Sequence, residues 1–302
     1  MRMSRIVVGN RDGTLAVRHG RTVLERLAEE WPDLHLTVKT VPNDAHGSEG
    51  DAPRGAAADL GDWPTQSPSR LVEALARGTV DVAVIQLGML SAELPSELTL
   101  AAVTRRGDQR SAVVARGYKD LAGLPPGSTV GVASARDAAF LLATHPTLDV
   151  RPLTQAPEAE LRRLSAGDYA AVVLPAAALI DLDLREHVDE WLDVDVFTPV
   201  AGQGAVGLIV RTDDDLAFET VYPLQHRPSF DRVKAERAFA VALSDQHVGA
   251  AATVTDDGEL SLFGAVASGE TVIQASVSGD AKEAEDLGKE LAGDVKERLT
   301  TL

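Results

Sequence analysis

The fold is first readable in residues 5–41, RIVVGNRDGTLAVRHGRTVLERLAEEWPDLHLTVKTV. The run 5–9 is short and rich in β-branched residues, which predicts a buried strand. After a short turn, apolar residues recur at helical spacing as far as Trp31, and Pro32 ends that helix. Residues 35–41 predict the next strand. Such a strand–helix–strand unit is typical of α/β domains with parallel strands.

The alternation of strand and helix patterns continues to about residue 210. Further strands are predicted over 80–85, 113–115, 129–133, 150–153, 170–174 and 204–210, and helices after Ser69 and over 136–144 and 158–165. Residues 43–68 interrupt this pattern with glycines and prolines and almost no bulky apolar residue. A stretch of this length predicts either a functional loop or a disordered insertion.

The last 80 residues follow a different pattern. A helix is predicted over 231–243, two strands over 260–267 and 271–277, and an amphipathic helix over 281–299. The pair Asp257-Gly258 is a strong hairpin signal. These features predict a small α+β unit at the end of the chain.

Length and composition limit the classes of protein. The 302 residues, 44% apolar and 25% charged, exceed one hydrophobic core and predict two or three domains. No run of 18 apolar residues and no leader-like segment is present, so we expect a cytoplasmic protein without a membrane span. The chain has no cysteine, which excludes disulfides, thiolate metal sites and attachment of a cofactor through sulfur.

The charge balance is strongly acidic, with 46 acidic and 29 basic residues and a net charge of −17. Such a surface repels phosphate backbones and anionic membranes, so we expect neither nucleic acid nor membrane as a partner. Only six of the basic residues are lysine. This composition fits a halophilic protein adapted to concentrated salt as well as it fits an acidic mesophilic one.

Few residues indicate chemistry by themselves. The seven histidines include no pair at metal-ligand spacing, so no metal site is predicted. No phosphate-binding loop, nucleophile elbow or dinucleotide motif is present. The glycine-rich segment 202–207 indicates a hinge or a tight crossing of the chain rather than a phosphate site.

Several segments of the chain match the pattern of one family. The most specific is 199–207, PVAGQGAVG. The others are Arg11 with Leu15 and Ala16, then 72–75, 80–84, 127–134 and 236–238. On these segments the chain resembles, over nearly its whole length, the hydroxymethylbilane synthase (porphobilinogen deaminase) family of tetrapyrrole biosynthesis.

The resemblance implies a three-domain α/β fold. Two similar open mixed sheets flank a cleft, as in type II periplasmic binding proteins, and a small α+β C-terminal domain follows. The implied bounds are 1–100 with 200–222 for domain 1, 101–199 for domain 2 and 223–302 for the C-terminal domain, with residue 247 on a loop toward the cleft. We expect a monomer.

The resemblance also implies a particular chemistry. The family uses a dipyrromethane cofactor tethered to a cysteine, a catalytic aspartate beside a lysine, arginines that bind acetate and propionate groups, and a mobile loop. Each pyrrole unit carries two carboxylates, so a growing chain needs several fixed guanidinium groups. The aspartate stabilises cationic intermediates and moves protons.

The family's reactive positions are altered in this sequence. The lysine and aspartate positions fall on Gly88 and Met89, so no catalytic residue is predicted. The cysteine position falls at or near His247. Two arginine positions fall on Asp137 and Glu160, which reverses charge toward a polyanionic ligand. With no cysteine to hold dipyrromethane, no cofactor is expected.

Five residues are candidates for ligand binding: Arg11, Ser134, Arg136, Gln203 and Gly204. Arg11 could instead cap the following helix or pair with a neighbouring acid. Gln203 and Gly204 could instead shape the chain crossing. The ordinary interpretation of His247 is a solvated loop residue, and that of Met89 is cleft lining.

Three functions remain open from the sequence. The first is a divergent family member without deaminase activity, a pseudoenzyme. The second is a working synthase that holds its cofactor without a covalent bond. The third is a binding protein on the same scaffold, for a small molecule in the inter-domain cleft or for a protein partner.

Overall fold

The structure is a computed structural model and describes residues 5–43 and 68–301. Most of the predicted loop at 43–68 therefore lies outside the described residues.

Thirteen strands and eight α-helices are formed by the described residues. The strands are β1 Arg5–Arg11, β2 His35–Val41, β3 Val82–Gln86, β4 Leu98–Val103, β5 Ser111–Ala115, β6 Thr129–Val132, β7 Asp149–Pro152, β8 Ala171–Pro175, β9 Glu190–Leu192, β10 Val206–Arg211, β11 His247–Val254, β12 Glu259–Ser268 and β13 Thr271–Asp280. The helices are α1 Thr14–Glu30, α2 Ser69–Ala76, α3 Ala135–Thr144, α4 Pro157–Ala166, α5 Ala176–Asp181, α6 Asp215–Val221, α7 Arg227–Ala242 and α8 Ala284–Leu299.

The first two sheets have the same arrangement. Sheet 1 has the order β2-β1-β3-β10-β4, and sheet 2 has the order β7-β6-β8-β5-β9. In each, the first three strands are parallel and the fourth is antiparallel to both of its neighbours. We call sheet 1 with its helices lobe 1 and sheet 2 with its helices lobe 2. Apolar clusters cover both faces of each sheet, as buried parallel strands require.

The third sheet is an antiparallel meander, β11-β12-β13, with α7 and α8 packed on it. Gly264 allows this close packing, because a Cβ there would lie 2.5 Å from Phe239 Cζ. Ala265 and Ala267 of β12 belong to the apolar cluster that contains Phe140 of α3. The third sheet is therefore attached to lobe 2 as well as to its own helices.

The predicted fold class is confirmed: two similar mixed sheets and a small third α+β unit. Sheet membership supports the domain bounds given above, which stay a proposal. The expected loop at residue 247 is wrong. His247 is the first residue of β11 and pairs with Ala267, because the meander continues to that point.

Candidate ligand-binding cleft

Arg11 lies at the carboxyl end of β1, the edge at which open α/β sheets bind ligands. Its Nε donates to Asn43 Oδ1 over 3.0 Å, and its Nη1 donates to Met89 Sδ over 3.4 Å. A thioether is a weak acceptor. Met89 therefore holds this guanidinium only weakly.

Gly88 and Met89 lie in a 3-10 turn, Leu87–Met89, directly after β3. A Cβ atom at residue 88 would lie 3.2 Å from Gln203 Cα and 3.2 Å from Val200 Cγ1. These distances are shorter than the optimal separation of two carbon atoms. The chain crossing thus packs directly on Gly88. Together, Gly88 and Met89 supply one thioether and no ionisable group.

Ser134 is the N-cap of α3. Its Oγ accepts from the Asp137 amide over 3.1 Å and donates to Asp137 Oδ2 over 2.7 Å. This arrangement satisfies a donor at the helix N-terminus, which is the usual role of serine at that position. The hydroxyl that was predicted to bind ligand therefore already has partners within its own helix.

Arg136 is directed toward the third sheet. Its Nη1 lies 2.5 Å from Asp137 Oδ1, and its Nε donates to the Val248 carbonyl oxygen over 3.3 Å. The guanidinium carbon lies 4.1 Å from the ring centroid of Phe140 and 5.3 Å from that of Phe197. Burial lowers the pKa of Arg136, and the Asp137 carboxylate opposes this shift. Arg136 therefore joins lobe 2 to β11.

His247 lies near this guanidinium and is partly buried. Burial lowers the pKa of His247 below its usual value, and the positive charge of Arg136 lowers it further. The imidazole is thus a partly buried group beside a cation, in a strand, rather than a solvated loop residue. It remains a candidate at the family's attachment position.

His247 gives a pH prediction. Its folded-state pKa is below the unfolded value of about 6.5, so the unfolded chain binds more protons in that window. Between the folded-state pKa and about 6.5, the free energy of unfolding should therefore rise with pH. This stability is lost as the pH falls below about 6.5 toward the folded-state pKa. Urea unfolding at several pH values between 5 and 8 measures this dependence. The free energy of unfolding should change less with pH in His247→Gln than in the parent. The control is His35→Gln, because His35 is an exposed residue of β2. An unchanged pH dependence in His247→Gln, or an equal change in His35→Gln, would contradict the prediction.

Gln203 and Gly204 form the crossing between the lobes. Gln203 Nε2 donates to the carbonyl oxygens of Gln109 (2.9 Å) and Arg110 (3.0 Å). Gly204 has a φ of 77°, and a Cβ there would lie 2.6 Å from the Asp108 carbonyl oxygen. These contacts support the interpretation of a tight crossing, since the Gln203 side chain is used within the chain.

Glu160 does not face a ligand as a free negative charge. It is fully buried, and its Oε1 accepts from the amides of Thr154 and Gln155, each over 2.8 Å. Arg163 Nη1 lies 3.3 Å from its other oxygen. The expected charge reversal is therefore wrong as first stated, because Glu160 is held by its own loop and Asp137 by Arg136.

The most deeply buried charges were not predicted as a site. Arg106 and Glu236 have side chains with 0% exposure, and Arg106 Nη1 lies 2.6 Å from Glu236 Oε1. Glu236 also accepts from the amides of Gly202 and Ala252, each over 2.8 Å. The sequence indicated Glu236 only as a residue of segment 236–238, which matches the family, and gave it no role. Spacing gives no signal for a pair 130 residues apart.

Within 5–43 and 68–301, no group of three or more histidine and acidic side chains is placed to hold a metal ion. In the same part of the chain, no helix has the length and apolar character needed to cross a membrane.

Comparison with known proteins gives a consistent family. The model described as "Porphobilinogen deaminase, dipyromethane cofactor binding domain" matches residues 6–219. A porphobilinogen deaminase from Thermus thermophilus is 42% identical over 298 residues, which cover 97% of this chain and 96% of that protein. One from Deinococcus radiodurans is 37% identical over 308 residues, covering 98% and 96%.

Similar solved structures share far less sequence. The methionine-binding protein MetQ is 14% identical, with a TM-score of 0.48 over 80% of this chain and 94% of that one. The VFT2 domain of Bordetella pertussis BvgS is 15% identical, with a TM-score of 0.46 over 78% and 91%.

The fold and the matched segments define an α/β protein with two lobes. The chain passes from lobe 1 to lobe 2 between β4 and β5 and returns between β9 and β10. The chain belongs to the porphobilinogen deaminase family, and the predicted resemblance is confirmed.

The prediction that no cofactor is bound is wrong. The family model that matches residues 6–219 is that of the dipyrromethane cofactor binding domain. The physical reason for the error is that a missing cysteine removes a covalent link and says nothing about occupancy of the cleft.

The described residues do not fit a covalently attached dipyrromethane. The chain has no thiol. Of the two candidate arginines, Arg136 is buried against Asp137 and two aromatic rings. Arg11 remains at a strand end facing a weak acceptor. The residues present therefore supply no attachment atom for the cofactor.

Proposed function

We propose that this chain is a non-synthase member of the porphobilinogen deaminase family that binds a carboxylated pyrrole reversibly in its cleft. The observation that carries the proposal is the turn Leu87–Met89. From the resemblance, the family's lysine and aspartate positions fall on Gly88 and Met89 of this turn. Gly88 packs against the crossing at Gln203 and Val200.

Condensing pyrroles requires a group that stabilises a cationic intermediate and moves protons. A thioether carries no charge and no transferable proton. Because a Cβ at residue 88 would meet the Gln203 backbone at 3.2 Å, the turn is also packed for glycine rather than for a long cationic side chain. These contacts support a cleft that binds without catalysing the family reaction.

The charge pattern favours a ligand with fewer carboxylates than a growing tetrapyrrole. In lobe 2, Asp137 neutralises Arg136, and the Glu160 carboxylate occupies two backbone amides after β7. In lobe 1, Arg11 donates to the side-chain oxygen of Asn43 and to the thioether of Met89. A single pyrrole with two carboxylates is the family ligand that this reduced set of cations suits.

Arg11 gives the binding prediction. Replacing Arg11 by glutamine should weaken binding of porphobilinogen by about 10- to 100-fold, since a charged hydrogen bond contributes about 1.5–3 kcal/mol. Isothermal titration calorimetry measures the change. Arg26→Gln, an exposed position on α1, is the control and should leave the affinity unchanged. Equal affinity of Arg11→Gln and the parent would contradict the proposed role.

A second function has one specific observation in its favour. The Thermus thermophilus relative, 42% identical over nearly both chains, is named porphobilinogen deaminase. On this alternative the chain is a synthase whose dipyrromethane is held without a covalent bond. Chromatography of active protein under denaturing conditions should then release a dipyrrole. The first proposal instead expects no formation of hydroxymethylbilane by any preparation of the chain.

A further inference from the structure

Two ion pairs connect lobe 1 directly to lobe 2. His19 Nε2 lies 3.0 Å from Asp181 Oδ2, and Arg18 Nη2 lies 2.9 Å from Asp183 Oδ2. Arg18 and His19 are on α1, whereas Asp181 ends α5 and Asp183 follows it. Lobe 1 thus supplies both basic groups and lobe 2 both carboxylates.

The position of these pairs relates them to the cleft. Helix α1 begins three residues after Arg11, the last residue of β1. Helix α5 begins immediately after β8. Both helices therefore start at the carboxyl ends of strands, the edge where a ligand lies in open α/β sheets. Contacts between the two helices span this edge from one lobe to the other.

The turn after α5 is built to present the second carboxylate. Asp183 has a φ of 60°, in the left-handed region that aspartate tolerates better than most residues. Its amide donates to the Ile180 carbonyl oxygen over 3.0 Å, and the Leu184 amide donates to Leu179 over 2.7 Å. These bonds fix the chain reversal that places Asp183 beyond the helix end, facing Arg18.

The His19 contact has opposing contributions. The His19 side chain is 14% exposed, and its Nδ1 is buried with no hydrogen-bond partner among the described residues. Closure gains the contact with Asp181 but withholds water from Nδ1, which is a cost for a buried polar atom. Separation of the lobes would hydrate Nδ1. The two states are therefore closer in free energy than the ion pairs alone indicate.

We propose that Arg18, His19, Asp181 and Asp183 form a latch that holds the two lobes closed over the cleft and opens to admit ligand. The basic side chains of the latch come from the second turn of α1, and its carboxylates come from the end of α5 and the turn that follows. Since the Arg18 and Asp183 side chains are 49% and 81% exposed, that half of the latch is weak and sensitive to salt. Reversible opening is the behaviour such pairs permit.

The distance between the lobes tests the latch without any ligand. Because the chain has no cysteine, Arg26→Cys and Glu186→Cys place one spin label on each lobe with no background labelling. Pulsed electron resonance should give mainly one distance in this labelled parent. Adding Arg18→Gln and His19→Gln should produce a second, different distance, with the open-to-closed ratio raised about tenfold, or ~1.4 kcal/mol.

Matched variants make the outcome specific. Arg21→Gln removes an ion pair of 2.8 Å with Glu25 inside α1 and should leave the distance distribution unchanged. Asp181→Asn with Asp183→Asn should reproduce the opening from the other lobe, and it also serves if the first variant fails to fold. An unchanged distribution in both latch variants, or an equal change in Arg21→Gln, would overturn the latch. Failure of pyrrole binding would leave this test intact.

Discussion

Replacing Glu236 by glutamine is expected to lower the free energy of unfolding by about 3–5 kcal/mol, the usual cost of removing one partner of a buried ion pair. Both side chains of the Arg106–Glu236 pair have 0% exposure, with N–O distances of 2.6 and 3.0 Å. Glutamine keeps the shape of Glu236 but leaves the Arg106 charge buried without its counter-charge.

The pair also joins three parts of the molecule. Arg106 Nε donates to the Gln203 carbonyl oxygen over 2.8 Å, and the Arg106 amide donates to Ser229 Oγ over 2.9 Å. Glu236 accepts from Gly202 in the crossing and from Ala252 in β11. A glutamine amide would place a donor against one of these donors, so more than one hydrogen bond is lost.

Urea unfolding followed by circular dichroism measures the effect. Glu285→Gln is the control, because Glu285 is 46% exposed and its partners Lys289 and Lys234 lie at 2.7 and 3.2 Å. Exposed pairs contribute about 0–1 kcal/mol, so this control should change stability little. Equal small losses in Glu236→Gln and Glu285→Gln would show that the buried network is not a principal source of stability.

The second large effect concerns turnover. We expect hydroxymethylbilane formation by this chain to be slower than that of a family synthase by at least about 10⁴-fold. General acid–base catalysis contributes about 10²–10⁴-fold, and stabilisation of developing charge about 10²–10³-fold. On the proposed function, Gly88 and Met89 stand at the family's lysine and aspartate positions, and neither residue supplies these effects.

Local patterns predicted much of the fold. The predicted strand at 35–41 is the observed β2, and the predicted helix at 136–144 is α3 to within one residue. Asp257-Gly258 does form the hairpin turn before β12, with φ 88° at Gly258. Alternating apolar runs, helix spacing and turn residues are local signals, and here packing did not override them.

Other elements had no adequate local signal. Helix α5, AAALID, has six residues, of which five are apolar. It is therefore too short and too uniform to show the alternation of apolar and polar residues that predicts a helix. Strand β9 has three residues and exists through its pairing with β5. His247 lies in β11 because it pairs with Ala267, a contact set by the meander rather than by its polar neighbours.

The contacts that the candidate site residues make could not be predicted from the sequence. The sequence placed Arg136 beside an acid, but its aromatic neighbour Phe197 and its acceptor Val248 are distant in the chain. Glu160 was expected to oppose a ligand and instead holds two amides of its own loop. A hydrogen bond to a distant residue directs Arg136, and the backbone conformation of its own loop directs Glu160. Neither arrangement can be predicted from the pattern of residue types.

The most direct test of the account uses porphobilinogen and the purified full chain, with the Thermus thermophilus relative assayed in parallel. Consumption of porphobilinogen and appearance of the linear tetrapyrrole are followed with and without added dipyrromethane. We predict that the chain forms no more product than buffer in either condition, while calorimetry detects porphobilinogen binding that depends on Arg11. Product formation at a rate comparable to that of the relative would contradict the proposal that this chain keeps the two-lobed fold without catalysing the family's reaction.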